Sequence, residues 1–312
     1  MKKYIAALIL LAVITACTGG SGEADLEKDI YKGTTGVVLS FFENSLGDEV
    51  FENEQLNLPI KLENKGAYQV TNSKLVVATE RGFIEFSNGN NIYQKSGIRL
   101  DGKSVFVTFD DFHIEELVMN VKELDPQSEY HDSFITVNFC YDYKTSAFAE
   151  VCIDTDPHGQ RVSDKACSQI NSISMSEGQG GPVVIERVET RMLVVDNFIK
   201  PQFKIYISNR GEGTVISPNR IDSVCSQGSI GQETYNSLRL TALDMSGFSM
   251  GSFECIPSEL VLYNDEDFIT CTLKTGISRD RQPYLTPLKV ELSYGYMETA
   301  SKEIKIKKIL RY

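Results

Sequence analysis

Tryptophan is missing from the chain, and histidine occurs only 3 times in 312 residues. Without Trp there is no Cys…Trp…Cys pattern, which argues against true antibody-type domains. No HExxH, P-loop, dinucleotide fingerprint or CxxC pair is present, so zincin, nucleotide-binding and metal-ribbon readings have no motif. No N-x-Ser/Thr sequon offers an N-glycosylation acceptor. Basic residues are in deficit, 31 against 43 acidic, for a net charge of −12, which excludes wholesale nucleic-acid binding. Past the N-terminus no run approaches 18 apolar residues, so no internal segment reads as a transmembrane helix. No cofactor is implied.

What is present favours strands. Hydrophobic residues make up 41% and charged residues 24%, as in an ordinary globular protein. Phe and Tyr total 30, and Thr, Val and Ile recur in short runs. Strand-like runs alternate with turn clusters every 8–15 residues, as at Gly36–Phe42, Lys74–Thr79, Ser104–Phe109, Val183–Val195 and Ser237–Leu243. Phe112–Leu124 reads equally as helix or strand. The expected fold class is all-β: two tandem Ig-like β-sandwich domains.

The N-terminus reads as an address. Lys2 and Lys3 precede an apolar stretch from Ile5 to Ile14, too short to cross a bilayer of roughly 30 Å. Ile14-Thr15-Ala16-Cys17 resembles the lipobox of lipoproteins, which implies removal of residues 1–16 and a lipidated Cys17. The alternative is an ordinary secretory signal beside a chance Cys. The polar stretch after Cys17 is a flexible tether to residue 31. The expected location is extracytoplasmic, on the outer face of the cytoplasmic membrane, with membrane lipid as the first partner.

Six cysteines remain, and an even number in an exported chain reads as a disulfide set. From Phe134 to Tyr143, and again from Ala147 to Asp154, apolar residues fall on odd positions. A hairpin centred on residue 146 would bring Cys140 opposite Cys152, within cross-strand disulfide reach. Cys255 and Cys271 flank two short strands and pair next. Cys167 and Cys225 pair by elimination.

The two halves repeat one plan. Leu58–Asn64-Lys65-Gly66 resembles Phe203–Asn209-Arg210-Gly211, and Phe134–Tyr143 resembles Leu288–Tyr296, each with a Tyr-x-Tyr ending. Asn and Gly tolerate positive φ, so a tight turn is expected after each Asn-basic-Gly. The division is 32–155 for an acidic first domain, 156–181 for a linker and 182–312 for a second domain. Residues 18–155 hold 24 acidic and 11 basic side chains, while residues 156–312 hold 19 and 18. Lys302, Lys305, Lys307, Lys308 and Arg311 on the last strand read as guards of an exposed edge.

These features resemble archaeal-type exported lipoproteins with CARDB-like Ig domains. The resemblance rests on Lys32–Gly36 with Glu63–Tyr68, on Cys140–Thr145 with Val151–Ile153, and on Gly178–Val183. It implies fold and location but no activity.

Tests for catalysis are mostly negative. Gly247-Phe248-Ser249-Met250-Gly251 matches the nucleophile-elbow pattern, yet His113, His131 and His158 all precede Ser249 and Pro257 interrupts any following helix. Asp154-Thr155-Asp156 resembles the start of a calcium loop, but the twelfth position is Lys165, so an EF-hand is rejected and the segment reads as a turn, with a looser interdomain calcium site through Asp154 and Asp156 as the alternative. The expected function is a non-enzymatic binding, adhesion or assembly module with a protein or glycan partner at the envelope. The rival is a glycan- or small-ligand-binding lipoprotein serving an envelope enzyme or transporter. A broad apolar patch would favour a protein partner, and stacked aromatics in a groove would favour a glycan.

Overall fold

The computed structural model describes residues 30–309, apart from 43–44, 108, 162–163, 176 and 227–234. Cys17, the tether up to residue 29 and Arg311 lie outside the described residues. The first half contributes β1 (Val37–Phe41), β2 (Glu49–Phe51), β3 (Gln55–Asn64), β4 (Ser73–Thr79), β5 (Ile84–Phe86), β6 (Ile92–Ser96), β7 (Asp111–Val121) and β8 (Tyr130–Ile153). The connecting segment carries β9 (Ser172–Ser174). The second half follows with β10 (Val183–Val195), β11 (Phe198–Asn209), β12 (Thr214–Ile216), helix α1 (Ile221–Cys225), β13 (Ser237–Met245), β14 (Phe253–Ile256), β15 (Leu260–Val261), β16 (Glu266–Leu273), β17 (Ile277–Ser278) and β18 (Tyr284–Lys307).

The fold is an all-β sandwich, and the repeat is visible in its topology. One small sheet runs β1-β3-β7-β5, and its counterpart runs β10-β11-β16-β14 with β9 added at its edge. Opposite them lies a single sheet in the order β15-β13-β18-β8-β4-β6. That order is symmetric about the β8–β18 pair. The two halves therefore share one sheet, and the boundary at 156–181 divides the chain but not the sheet. One contiguous core contains buried residues of both halves, from Val37 to Ile306.

The junction is long because its strands are. β8 and β18 pair antiparallel along 24 residues each, from Tyr130↔Lys307 to Ile153↔Tyr284, a ladder of about 80 Å at 3.3 Å per residue. Tyr130–Ile153 contains neither Gly nor Pro, and every odd position from Ile135 to Ile153 is buried, the disulfide-bonded Cys140 and Cys152 being the buried even ones. The expected hairpin at residue 146 is thus absent. Constant parity fits a straight strand as well as a hairpin, and Lys144-Thr145-Ser146 contains no Gly, Pro, Asn or Asp, the stronger turn residues, to reverse the chain.

Two disulfides differ from expectation for that reason. Cys140 and Cys152 lie twelve residues apart on one extended strand, about 40 Å, and cannot bond. Cys140 bonds Cys225 instead, and Cys152 bonds Cys167. The first pinned α1 of the second half onto the first half's strands: Ile221, Val224 and Cys225 bury against Val76 and Cys140. Cys255–Cys271 is present as expected, between directly opposed residues of β14 and β16. Three disulfides fit an oxidising, extracytoplasmic environment. Among the described residues no helix is long and apolar enough to cross a membrane.

The lysines of β18 are a further correction. β18 is an inner strand, with β8 on one side and β2 beside its last residues, where β2 pairs parallel at Glu49↔Lys305. Lys302 meets Asp48 at 2.8 Å and Lys307 meets Glu49 at 2.6 Å. Lys305 lies 3.9 Å from Asp132. The basic end of the second half thus answers acidic residues of the first. The segment taken as a linker is also packed: the Gly180 carbonyl accepts from Ala67 N at 2.8 Å, and Gly180 N donates to Gly33 O at 3.0 Å.

Candidate interaction surface

At the centre of the β8–β18 ladder, Tyr141 and Tyr143 face Tyr296 and Tyr294. All four rings point into the core, with neighbouring centroids 5.5–6.4 Å apart. Burial raises the Tyr141 and Tyr294 hydroxyls well above their ordinary pKa, so both stay protonated and hydrogen-bonded. Tyr143 Oη donates to Asn64 Oδ1 at 3.2 Å and accepts from Tyr68 N at 3.2 Å. Tyr296 repeats the pattern, donating to Asn209 Oδ1 at 3.0 Å and accepting from Gly213 N at 3.0 Å. Both sequence markers of the repeat therefore meet in one device, which fastens each small sheet to the shared sheet.

The glycine of each marker serves this contact. Neither Gly66 nor Gly211 has a positive φ. A Cβ on Gly66 would fall 2.1 Å from Tyr143 Oη, and one on Gly211 would fall 2.3 Å from Tyr296 Oη. Close approach, and not the expected left-handed turn, is what these positions require.

Chemistry-bearing residues are dispersed. Ser249 precedes a 3₁₀ turn at Met250–Ser252 that leads into β14, so a strand–turn–α-helix elbow is not formed there. His113 pairs with Glu115 at 2.9 Å, and His131 pairs with Glu80 at 2.9 Å while stacking on Phe83. Burial pushes the Glu115 carboxyl up, but hydrogen bonds from Lys95, Tyr93 and His113 outweigh it and hold the group below its usual range. Glu115 thereby clasps the lateral opening between β6 and β7. Asp154 and Asp156, the acidic pair read as a loose calcium loop, face protein cations: Lys165 Nζ lies 2.8 Å from Asp154 and Arg279 3.8 Å from Asp156. Among the described residues no three metal-ligating side chains gather.

Several outer surfaces remain, among them a shallow depression at Phe148, Leu285 and Pro287. On the second half a groove of about 510 Å³ is lined by Gln169, Asn171, Glu189, Arg191, Gln202 and Lys204. No aromatic side chain lines it; on the same sheet Arg187 covers the Tyr206 ring at 3.4 Å and Lys204 covers the Phe268 ring at 3.8 Å. On the first half, β7 turns Phe112, Ile114 and Val118 outward, 54%, 39% and 40% exposed. The ladders make Glu266, Phe268 and Thr272 of β16 their counterparts in the other half. The fold therefore does not demand an apolar outer face at this strand, and the first half alone carries one.

No family model and no curated protein matches the chain. Three solved structures show a remote likeness. A red sea bream transglutaminase aligns at 11% identity over 95% of this chain and 34% of that one, with a TM-score of 0.21. The secreted serine protease VesC from Vibrio cholerae aligns at 10% over 90% and 53%, with a TM-score of 0.20. The CupB6 tip adhesin from Pseudomonas aeruginosa aligns at 8% over 88% and 98%, with a TM-score of 0.16. The chain spans about a third of the transglutaminase and half of the protease. None of these likenesses carries an argument about function.

The apolar stripe on β7 escaped the sequence reading because Phe112–Leu124 fitted helix and strand alike. Its signal was there: with Glu115, Leu117, Met119 and Val121 assigned inward, the even positions must face out.

Proposed function

We propose that this protein is a lipid-anchored, extracytoplasmic, non-enzymatic binding module that docks a basic protein partner on the outer face of β7. The observation that carries the reading is the stripe of Phe112, Ile114 and Val118, set beside exposed Glu116 on a half whose net charge is −13. Exposed apolar surface rimmed by polar residues marks interaction sites, and the acidic surroundings select a partner of opposite sign. Lipidation at Cys17 and the resemblance to archaeal-type surface lipoproteins fit the same role.

A photocrosslinking phenylalanine analogue at position 112, in intact cells, tests it. One recurrent partner with a basic surface is expected, with the adduct lost in Ile114→Glu. An adduct no stronger than from position 268, or one indifferent to Ile114→Glu, would overturn the reading.

A second reading draws on the groove of the second half. Its amide and charged side chains suit a hydroxyl-rich ligand such as a glycan. The protein partner is preferred because no aromatic ring lines the groove to stack on a sugar.

A further inference from the structure

Between β6 and β7 the first half carries fourteen residues, where the second half joins β15 to β16 with four. The short connection turns on Asn264 and Asp265, both at positive φ. The extra length in the first half forms an arm. Ser104 N donates to Val107 O at 2.9 Å and Val107 N returns a bond to Ser104 O at 3.2 Å. Lys103 and Asp110 pair across its base at 3.0 Å. The arm displays what a folded protein ordinarily hides: Phe106 is 96% exposed and Phe109 73%.

The base of the arm adjoins the place where the described chain begins. Lys103 N donates to Gly66 O at 3.0 Å. A Cβ on Gly102 would fall 2.5 Å from Ala67 O. Tyr31 lies with its ring 6.0 Å from that of Tyr68. The tether thus joins the folded body beside Ala67 and Tyr68, the residues that support the arm. Tyr31 stands fourteen residues after Cys17, a covalent reach of at most about 50 Å, which bounds how far this end can stand from a lipid attached at Cys17.

We propose that the arm is a second membrane contact, with Phe106 and Phe109 seated in the bilayer interface next to the anchor. Amphipathic and aromatic side chains settle at that depth, and a lipid at Cys17 would hold the arm within reach of it. The charges at the base do not oppose insertion: Asp110 is paired with Lys103, and Asp111 Oδ2 accepts from Asp101 N at 2.8 Å. The strongly acidic first half makes the contact apolar, so zwitterionic lipid suffices. This inference rests on the lipid-anchor reading.

The absence of tryptophan makes the test clean. The full-length protein is purified as the Phe106→Trp variant, and separately as Tyr263→Trp, on the short connection of the other half. Each is reconstituted in phosphatidylcholine vesicles with brominated acyl chains, and the mass of the N-terminal peptide reports acylation of Cys17. Blue-shifted emission and at least twofold quenching are expected for Phe106→Trp, with neither for Tyr263→Trp. If Cys17 is acylated and the two variants behave alike, the arm proposal fails while the anchor stands. If Cys17 is not acylated, the anchor reading fails. The same vesicles added to unacylated protein then decide the arm: selective quenching of Phe106→Trp supports it, and none overturns it.

Discussion

Asp142 and Gly295 stand opposite one another in the β8–β18 ladder, and they are also the corresponding residues of the two Tyr-x-Tyr motifs. A residue paired with its own counterpart marks a two-fold axis. The axis runs through the sheet between them, so the halves are related as the subunits of an isologous dimer are, here within one chain. The molecule reads as a duplicated sandwich whose copies fused edge to edge along their last strands.

The bond that crosses this fusion should matter most for stability. Cys140–Cys225 closes a separation of 85 residues, against 15 for Cys152–Cys167. Chain entropy assigns about 4.5 kcal/mol to the first and about 3 kcal/mol to the second. Denaturant unfolding of Cys140→Ser/Cys225→Ser should show the larger loss. Equal or reversed losses would mean that α1 is held by packing alone.

The tyrosine clasps should respond alike on the two sides. Tyr143→Phe and Tyr296→Phe each leave a backbone amide, of Tyr68 or Gly213, without its partner, and remove one of the two hydrogen bonds to an Asn oxygen that keeps its bond from the Gly66 or Gly211 amide, at about 1–3 kcal/mol. Tyr263→Phe, on an exposed ring, should stay within about 0.5 kcal/mol. Thermal unfolding of the three variants would show this, and a loss on one side only would break the equivalence.

Gly66→Ala and Gly211→Ala should be poorly tolerated, since the new methyl meets a fixed tyrosine hydroxyl. Gly251→Ala meets nothing within 4 Å and should be neutral. Soluble yield and midpoint of unfolding are the readouts. Tolerance at Gly66 would show that the Tyr143 ring can withdraw.

Symmetry is broken at one inward position with a consequence for pH. Thr145 bonds Val183 O at 2.6 Å and Tyr294 Oη at 2.9 Å, but its counterpart is Glu298. Burial, then the nearby Glu212 charge, pushes the Glu298 carboxyl up to about 7. In the unfolded chain it titrates near 4.5, so between the two values the folded state holds the extra proton. Stability is therefore highest below the unfolded value and declines as pH rises toward 7, by about 2 kcal/mol after allowing for solvent screening. Glu298→Thr should remove that decline and raise stability at pH 8. An unchanged slope between pH 4.5 and 7.5 would contradict the assignment.

Much of this was legible in sequence, and the rest failed for identifiable reasons. Asn64-Lys65-Gly66, Asn209-Arg210-Gly211 and the Tyr-x-Tyr pairs exposed the repeat because each serves the same clasp twice. The fusion was hidden because parity cannot separate a hairpin at residue 146 from a strand running through it. Once Cys140 and Cys152 share a strand, elimination also misplaces Cys167 and Cys225. Lys302 and Lys307 were misread as edge guards since their partners Asp48 and Glu49 lie more than 250 residues away in the chain. The outer stripe at Phe112 and the arm at Phe106 needed the second copy as a reference before their exposure acquired meaning.

The disulfide map tests the fused architecture most directly. Non-reducing proteolysis followed by mass analysis of the linked peptides should yield Cys140–Cys225, Cys152–Cys167 and Cys255–Cys271. Recovery of Cys140 linked to Cys152 would require the chain to turn back at residue 146, and would dissolve the shared sheet on which this account depends.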